Sequence, residues 1–361
     1  MSELATNTSV ALAGLDAFCR NVLKACGADD ATADATTRAM MHGTRHGVDS
    51  HGIRLLPHYV RALEGGRLNK APKLAKVHGF GAVETLDADN AQGALGAYTA
   101  MDRAIMLAGK FGIGAVGIRN TSHFGPAGAF AIEAARRGMI GLAFCNSDSF
   151  VRLHDGATRF HGTNPIAAAV PVPGQNPWLL DMATSAIPFN RVMLYRSTGA
   201  PLPDAVASDA SGHNTNDATI AEMLAPLGAE FGFKGAGLAG LSEILSAVLT
   251  GMRLSFDLAP MMGKDFSTPR GLGAFVLAIA PEAFGDRSTF DAGMNRYLEV
   301  LRTSQPREGC KVMAPGDREW QVAAKREELG VVVDPVTLSA FAELAATYDL
   351  QLPPLAQEIN P

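Results

Sequence analysis

The sequence predicts an α/β fold whose central sheet is bracketed by helices from both ends of the chain. Three features carry this: helical periodicity over residues 10–66, short apolar runs between glycines from about residue 76, and a return to helical spacing after residue 281. In LAGLDAFCRNVLKACG the apolar residues Leu12, Leu15, Phe18, Val22, Leu23 and Cys26 fall on one helical stripe. ADDATADATTRAMMHG opens behind aspartates suited to capping. A third helix, PHYVRALEGG, has Pro57 in its first turn and ends in a glycine pair. The runs AVETLD, IGAVGIR, IGLAFCN, PIAAAVPV and WLLDMA read as strands, with GAYTAMDRAIMLAGKFG and PAGAFAIEAARRG as intervening helices. Residues 197–220 read as polar and irregular. GFKGAGLAGLSEILSAVLTG is a glycine-opened helix, GAFVLAIAP a strand, and three further helices close the chain. Residues 1–75 and 281–361 are therefore expected to form one discontinuous helical subdomain around an α/β domain of residues 76–280.

Composition narrows the function classes. The chain has 361 residues, 47% of them hydrophobic, enough for one large domain or two smaller ones. With 31 basic and 36 acidic residues, net charge −5 and no basic run, nucleic acid and anionic membranes are poor partners. The opening MSELATNTS has no basic segment followed by an apolar one, and no stretch of about 18 apolar residues occurs, so a cytoplasmic protein is expected. The four cysteines make neither a CxxC pair nor a zinc spacing, which fits reduced thiols.

GIGAVGIRNTSHFGPAGAF, residues 112–130, holds two competing signals. Its first half matches G-x-G-x-x-G, but a dinucleotide-binding glycine loop follows a strand and opens a helix. Here a helix precedes the glycines and a strand runs through them; Glu133, at the distance of a ribose-binding acid, lies inside the next helix. The glycines are read as a helix cap and a closely packed strand. His42, His46 and His51 raise a metal reading, since His42 and His46 share a helical face, and a metal-dependent hydrolase is the alternative of another class. MHGTRH lacks the acid that zinc hydrolases add to such a pair, and no metal is expected. His51 and His123 each follow a serine in a glycine-containing loop, where an imidazole can exchange a proton near neutral pH.

The blocks VDSHGIRLLPHYVRALEGGRLN, IRNTSHFGPAGAFAIEAARRGMIGLAFCNS, HGTNPIAAAVPV, LLDMATS, GFKGAGLAGLSEILSAVLTG and VMAPGDRE, in this order, resemble the malate/L-lactate dehydrogenase family that is unrelated to the Rossmann-type enzymes of those names. The resemblance spans nearly the whole chain. It implies a non-Rossmann nicotinamide-binding domain on a mixed, largely antiparallel sheet, a homodimer, NAD or NADP as cofactor, and a small carboxylate substrate. Family members act on 2-oxo and 2-hydroxy acids or on cyclic imino acids such as piperideine-2-carboxylate. Carried over by motif, Ser50, His51 and His123 are catalytic, either histidine being the proton donor; Thr163 of TNP is in addition expected to bind substrate. Ser147, Asp181, Met182, Ala183, Thr184, Lys234, Gly235, Gly316 and Asp317 contact the cofactor. Lys234 and the backbone amides opening its helix suit a pyrophosphate.

The chain departs from this pattern in places. Many members read SHGxxRxPxY, but here Arg54 stands three residues after the histidine and Leu55 holds the usual arginine position. That arginine is the expected clamp for a substrate carboxylate, a role that depends on paired donor geometry. Arg54 from a shifted backbone, Arg45 as a substitute, and a different substrate all remain open. His161 in HGTNP and the segment SAIPFNRV also differ, and the sequence does not decide whether Arg191 or Arg196 faces a 2′-phosphate.

Overall fold

The computed structural model describes residues 9–354. Helices α1 (Leu12–Ala25), α2 (Asp30–Arg45) and α3 (Leu56–Glu64) open the chain, and the Asp29 carboxylate caps α2 by accepting from the Thr32 amide at 2.8 Å. Two short 3-10 turns between α2 and α3 carry Asp49–His51 and Ile53–Leu55.

Seven strands form the main sheet: β1 (Ala75–Phe80), β2 (Val83–Asp87), β3 (Ile113–Thr121), β4 (Ile140–Cys145), β5 (Ile166–Val170), β6 (Trp178–Met182) and β7 (Leu272–Ile279). Their order is β1-β2-β3-β7-β4-β5-β6; only β2 and β3 run parallel, and the other five neighbours are antiparallel. The sheet is therefore mixed, and β1, not read as a strand from sequence, is an edge strand with every residue exposed.

Helices α4 (Gly93–Phe111) and α5 (Gly128–Arg136) cover the sheet through a core of alanines with Met101, Val116, Ile118, Phe130 and Val276. The glycine-rich segment is the C-cap of α4, Gly112 at φ +84°, followed by β3. A Cβ at Gly114 would lie 2.1 Å from the Ala104 carbonyl oxygen, so glycine here permits helix and strand to touch.

Helix α6 (Phe189–Thr198) was not anticipated, because Pro188 and an exposed, weakly amphipathic segment give little periodic signal. Helix α7 (Phe233–Glu243) continues as a π-helical turn, Ile244–Val248. Its orientation is the reverse of a buried apolar face: Leu238, Leu241, Ile244, Val248 and Leu249 are exposed, whereas Ser242, Glu243 and Ser246 are buried.

Helices α8 (Arg287–Thr303), α9 (Asp317–Leu329) and α10 (Pro335–Tyr348) complete the chain. A second apolar cluster joins Leu15, Phe18, Leu23, Leu56 and Leu63 to Val331 and Phe341, residues from both chain ends. Leu298 of α8 packs instead with Val172 and Ala314. No described helix is long and apolar enough to cross a membrane. Cys19, Cys26 and Cys145 are buried free thiols and Cys310 is exposed.

Candidate active site

Strand register gathers most of the site at one end of the sheet. Thr121, ending β3, pairs with Leu272, opening β7; Cys145, ending β4, pairs with Ala274; and Ile166, opening β5, pairs with Phe144 and with Met182, which ends β6. The segments leaving this end carry His123, Ser147, Thr163, Ala183 and Thr184.

His51 comes to this end from the turn between α2 and α3. Its ring stacks on that of His123, centroids 5.6 Å apart and planes inclined by 24°. Each ring is held at Nδ1: the Ser50 hydroxyl lies 2.9 Å from His51, and the Tyr59 hydroxyl 2.9 Å from His123. Gln92 donates to the His123 carbonyl at 3.0 Å and fixes the loop. In the tautomer whose Nδ1 hydrogen points at the hydroxyl partner, Nε2 is the ring atom free to accept a proton.

Burial sets the protonation states. It pushes His51 down to about 4. His123 is driven well below the ordinary histidine value by burial and then by His51, His58 and Arg270. Stacked imidazoles do not readily carry two positive charges together, so the pair holds at most one proton in the working range. Burial alone lowers His51, whereas at His123 the charge of Arg270 opposes a proton as well. Tyr59, its phenol pushed up by burial, stays protonated.

His58, also pushed down to about 4, first by burial and then by Arg61, Arg270 and Arg67, packs edge-on against Tyr59 and Phe266. Its Nδ1 has no hydrogen-bond partner among the described residues. A histidine held neutral contributes stability above its unfolded value near 6.5, and this is lost as pH falls toward 4. Urea denaturation is expected to show stability falling across this window. His58→Gln should flatten the slope by about one proton, on the order of 3 kcal/mol over the whole range.

A second cluster lies beside the histidines. The Thr163 amide donates to Ser147 Oγ at 3.0 Å, and the two hydroxyls are 3.4 Å apart. Thr184 is buried, its hydroxyl donating to the carbonyls of Thr163 at 3.0 Å and Asn164 at 3.3 Å. The Leu227 amide donates to the Thr184 carbonyl at 3.0 Å and that of Gly235 to Leu227 at 3.1 Å, tying the start of α7 to this end of the sheet. Lys234 itself is exposed, with Nζ 5.2 Å from the Phe231 ring centre.

Asp181, one residue before Met182 on β6, accepts from the Gly128 amide at the start of α5 at 2.9 Å. Burial pushes its carboxyl up to about 6 despite that bond. Gly316, at φ +94°, lies against Leu179 of the same strand. Asp317 opens α9, where Arg302 Nη2 and Nε contact its two oxygens at 2.7 and 3.1 Å and the Ala314 amide donates at 2.8 Å.

Beneath these segments lies a network that sequence reasoning missed. Glu243, buried in α7, accepts from Asn164 at 2.7 Å, from the Ser255 amide at 2.7 Å and from the Ser255 hydroxyl. Asn164, at φ +33°, accepts the Ser147 amide at 3.1 Å, and Asn146 reaches Glu243 at 3.5 Å. Tyr59 and Gln92 were missed as well. The available signal for Tyr59 was its place as the tyrosine that closes the SHGxxRxPxY pattern.

Two expected groups are not gathered here. Arg54 is half exposed and faces Asp334 at 3.5 Å, while Arg45 faces Glu327 at 3.2 Å. His42 and His46 are buried and stacked, centroids 4.2 Å apart, with His46 Nδ1 2.8 Å from the His42 carbonyl and its ring edge-on to Trp320. Among the described residues no group of three potential metal ligands occurs.

Residues 10–342 match the family model described as malate/L-lactate dehydrogenase. The chain is 31% identical to a malate dehydrogenase of Pyrococcus abyssi, over 92% of each chain. It is 33% identical to a (2R)-3-sulfolactate dehydrogenase (NADP+) of Chromohalobacter salexigens, covering 85% of this chain and 89% of the relative. Malate dehydrogenase of Entamoeba histolytica superposes with TM-score 0.90 at 28% identity, covering 96% of this chain and all of that one. Delta1-piperideine-2-carboxylate reductase of Pseudomonas syringae superposes with TM-score 0.83 at 26% identity, covering 94% and 100%. Matched by the family model over residues 10–342 and 31% identical to one relative over 92% of its length, the chain belongs to the malate/L-lactate dehydrogenase family.

Proposed function

We propose that the protein transfers hydride between NAD(P)H and the α-carbon of a small 2-oxo or 2-hydroxy acid. The observation that carries this reading is the stacked His51–His123 pair, whose free Nε2 atoms share room for one proton. The nicotinamide, when bound, supplies or accepts the hydride. In oxidation His51 takes the hydroxyl proton at Nε2, and in reduction it returns that proton to the oxygen. His123 stacks against the His51 ring, while Ser50 and Tyr59 hold the two rings. Thr163 orients the substrate.

Several features support the cofactor assignment. Ser147, Asp181, Met182, Ala183 and Thr184 line one sheet end, and Gly316 and Asp317 continue the line toward a cavity of about 830 Å³. At Gly162 a Cβ would lie 2.2 Å from Ser147 Oγ, so a low backbone beside that hydroxyl keeps the approach clear. Residues 76–280 form the non-Rossmann cofactor domain in this reading, and residues 1–75 and 281–361 the helical subdomain. The exposed apolar stripe of α7 supports a homodimer, since an uncovered row of leucine, isoleucine and valine marks an interface. Buried free thiols fit a cytoplasmic enzyme.

The likeness to a delta1-piperideine-2-carboxylate reductase supports a second reading, in which the substrate is a cyclic imino acid and nitrogen, not oxygen, is protonated. Oxidation of NADH and of NADPH with pyruvate, oxaloacetate, 2,3-diketogulonate and piperideine-2-carboxylate separates the two. Turnover of an oxo acid at least tenfold above the imine supports the first. The reverse order supports the second, and no turnover with any of the four defeats both.

A further inference from the structure

The 830 Å³ cavity is bounded by the turn Gly174–Asn176, Arg302 at the end of α8, Lys311, Val312, and the first turn of α9 with Asp317, Trp320 and Gln321. Its charges are unequal. Asp317 is the only acid in its lining, and Arg302 contacts both of its oxygens while the Ala314 amide donates to one. Arg302 Nη1 also donates to the Gln175 side chain at 2.8 Å, fixing the guanidinium across the cavity wall. Lys311 is exposed and makes no ion pair or hydrogen bond with a described residue. With Asp317 already bound by Arg302, a lining of two cations against one carboxylate leaves this concave surface net positive, which raises the local affinity for an anion.

The neutral walls add a second constraint. Trp320 is anchored by its indole N–H to the Pro177 carbonyl at 2.9 Å, and side-chain amides of Gln175, Asn176 and Gln321 surround it. A fixed indole with amides at its rim suits an aromatic heterocycle that stacks and hydrogen-bonds at its edges. An acid that selects an unphosphorylated ribose does so by accepting from its 2′-hydroxyl. Asp317 is already committed to Arg302 and Ala314.

We infer that this cavity takes the adenosine end of the dinucleotide in its 2′-phosphorylated form, with Lys311 as the phosphate-binding cation, so that the enzyme prefers NADP to NAD. This rests on the nicotinamide-dinucleotide reading above. Arg196 plays no part in it, because its guanidinium donates to the carbonyls of Ala218 at 2.8 Å and Ala221 at 3.1 Å.

The test is calorimetric titration of the full chain with 2′,5′-ADP, 5′-AMP, NADP+ and NAD+, repeated for Lys311→Ala and Lys311→Glu. Lys311 is on the surface, so neither variant should disturb folding. The 2′-phosphorylated ligands are expected to bind at least tenfold tighter than their counterparts. Lys311→Ala should weaken 2′,5′-ADP about tenfold and leave 5′-AMP within twofold, and Lys311→Glu should weaken it further. Equal affinity for the two ligand classes, or equal loss of both in Lys311→Ala, overturns the inference while leaving the dehydrogenase reading intact. Absence of binding by either dinucleotide overturns both.

Discussion

His51→Ala is expected to lower kcat/KM for hydroxy-acid oxidation by about 10²–10⁴-fold, the range for losing a positioned acid–base group. NAD(P) affinity should be unchanged, because His51 borders the substrate side of the site. The sign of the pH effect follows from its folded value near 4. Neutral imidazole is the base, so wild-type oxidation should be flat from neutral pH upward and fall on the acid side as the pair takes its proton. In His51→Ala that acid limb should disappear. His123→Ala should also lose activity yet keep a limb, moved to higher pH because removing the stacked ring admits water and relieves the burial that lowers His51. If instead the limb survives in His51→Ala and vanishes in His123→Ala, the two roles are exchanged. If both variants retain wild-type rates, the pair is not the acid–base device.

How much of this was legible in the sequence differs from residue to residue. His51 and His123 stood out because a histidine between small residues in a loop has no packing reason to be there. Of their partners, Ser50 stood out in the same loop as His51, whereas Tyr59 and Gln92 did not. Tyr59 lies 64 residues from His123 in sequence, and within PHYVRALE an aromatic on the buried face reads as core. Strand positions were clear wherever apolar runs met glycine, whereas β1, exposed along its whole length, carries no burial pattern to read.

Helix α7 shows a sharper limit. Its apolar stripe was evident, but periodicity identifies two different faces without stating which turns inward. Here the polar side is buried, because Glu243 and Ser242 bond to segments leaving the sheet end, and the apolar side faces out. Close approach is possible because Gly273 of β7 has no side chain: a Cβ there would overlap the Ser246 carbonyl oxygen. Arg54 illustrates a third kind of limit. Its one-residue offset from the family pattern was visible, yet only the fold shows the chain directing it toward Asp334 at the start of α10.

The largest effect on stability is expected at Glu243, which no motif marked. Glu243→Ala removes the acceptor of the Ser255 amide, of its hydroxyl and of Asn164 in a region closed to solvent. Each buried donor left unsatisfied costs about 1–3 kcal/mol. Asn164 retains the Ala239 carbonyl at 3.2 Å and Asn146 the Arg253 carbonyl at 2.8 Å, so the loss concentrates on Ser255. A destabilisation of about 3–5 kcal/mol by urea denaturation follows once the vacated side-chain volume is added. Glu243→Gln keeps the volume but turns an N–H₂ toward a donor, and should cost about 1–3 kcal/mol. The conservative variant also carries the functional reading. Asn164 fixes the Ser147 amide, and Thr184 is tied to the carbonyls of Thr163 and Asn164, so a shifted Asn164 moves cofactor-facing groups together. Glu243→Gln should therefore weaken NAD(P) binding severalfold at temperatures where it remains folded. A loss under about 1 kcal/mol in Glu243→Ala would mean that the network is not what holds this end of the sheet.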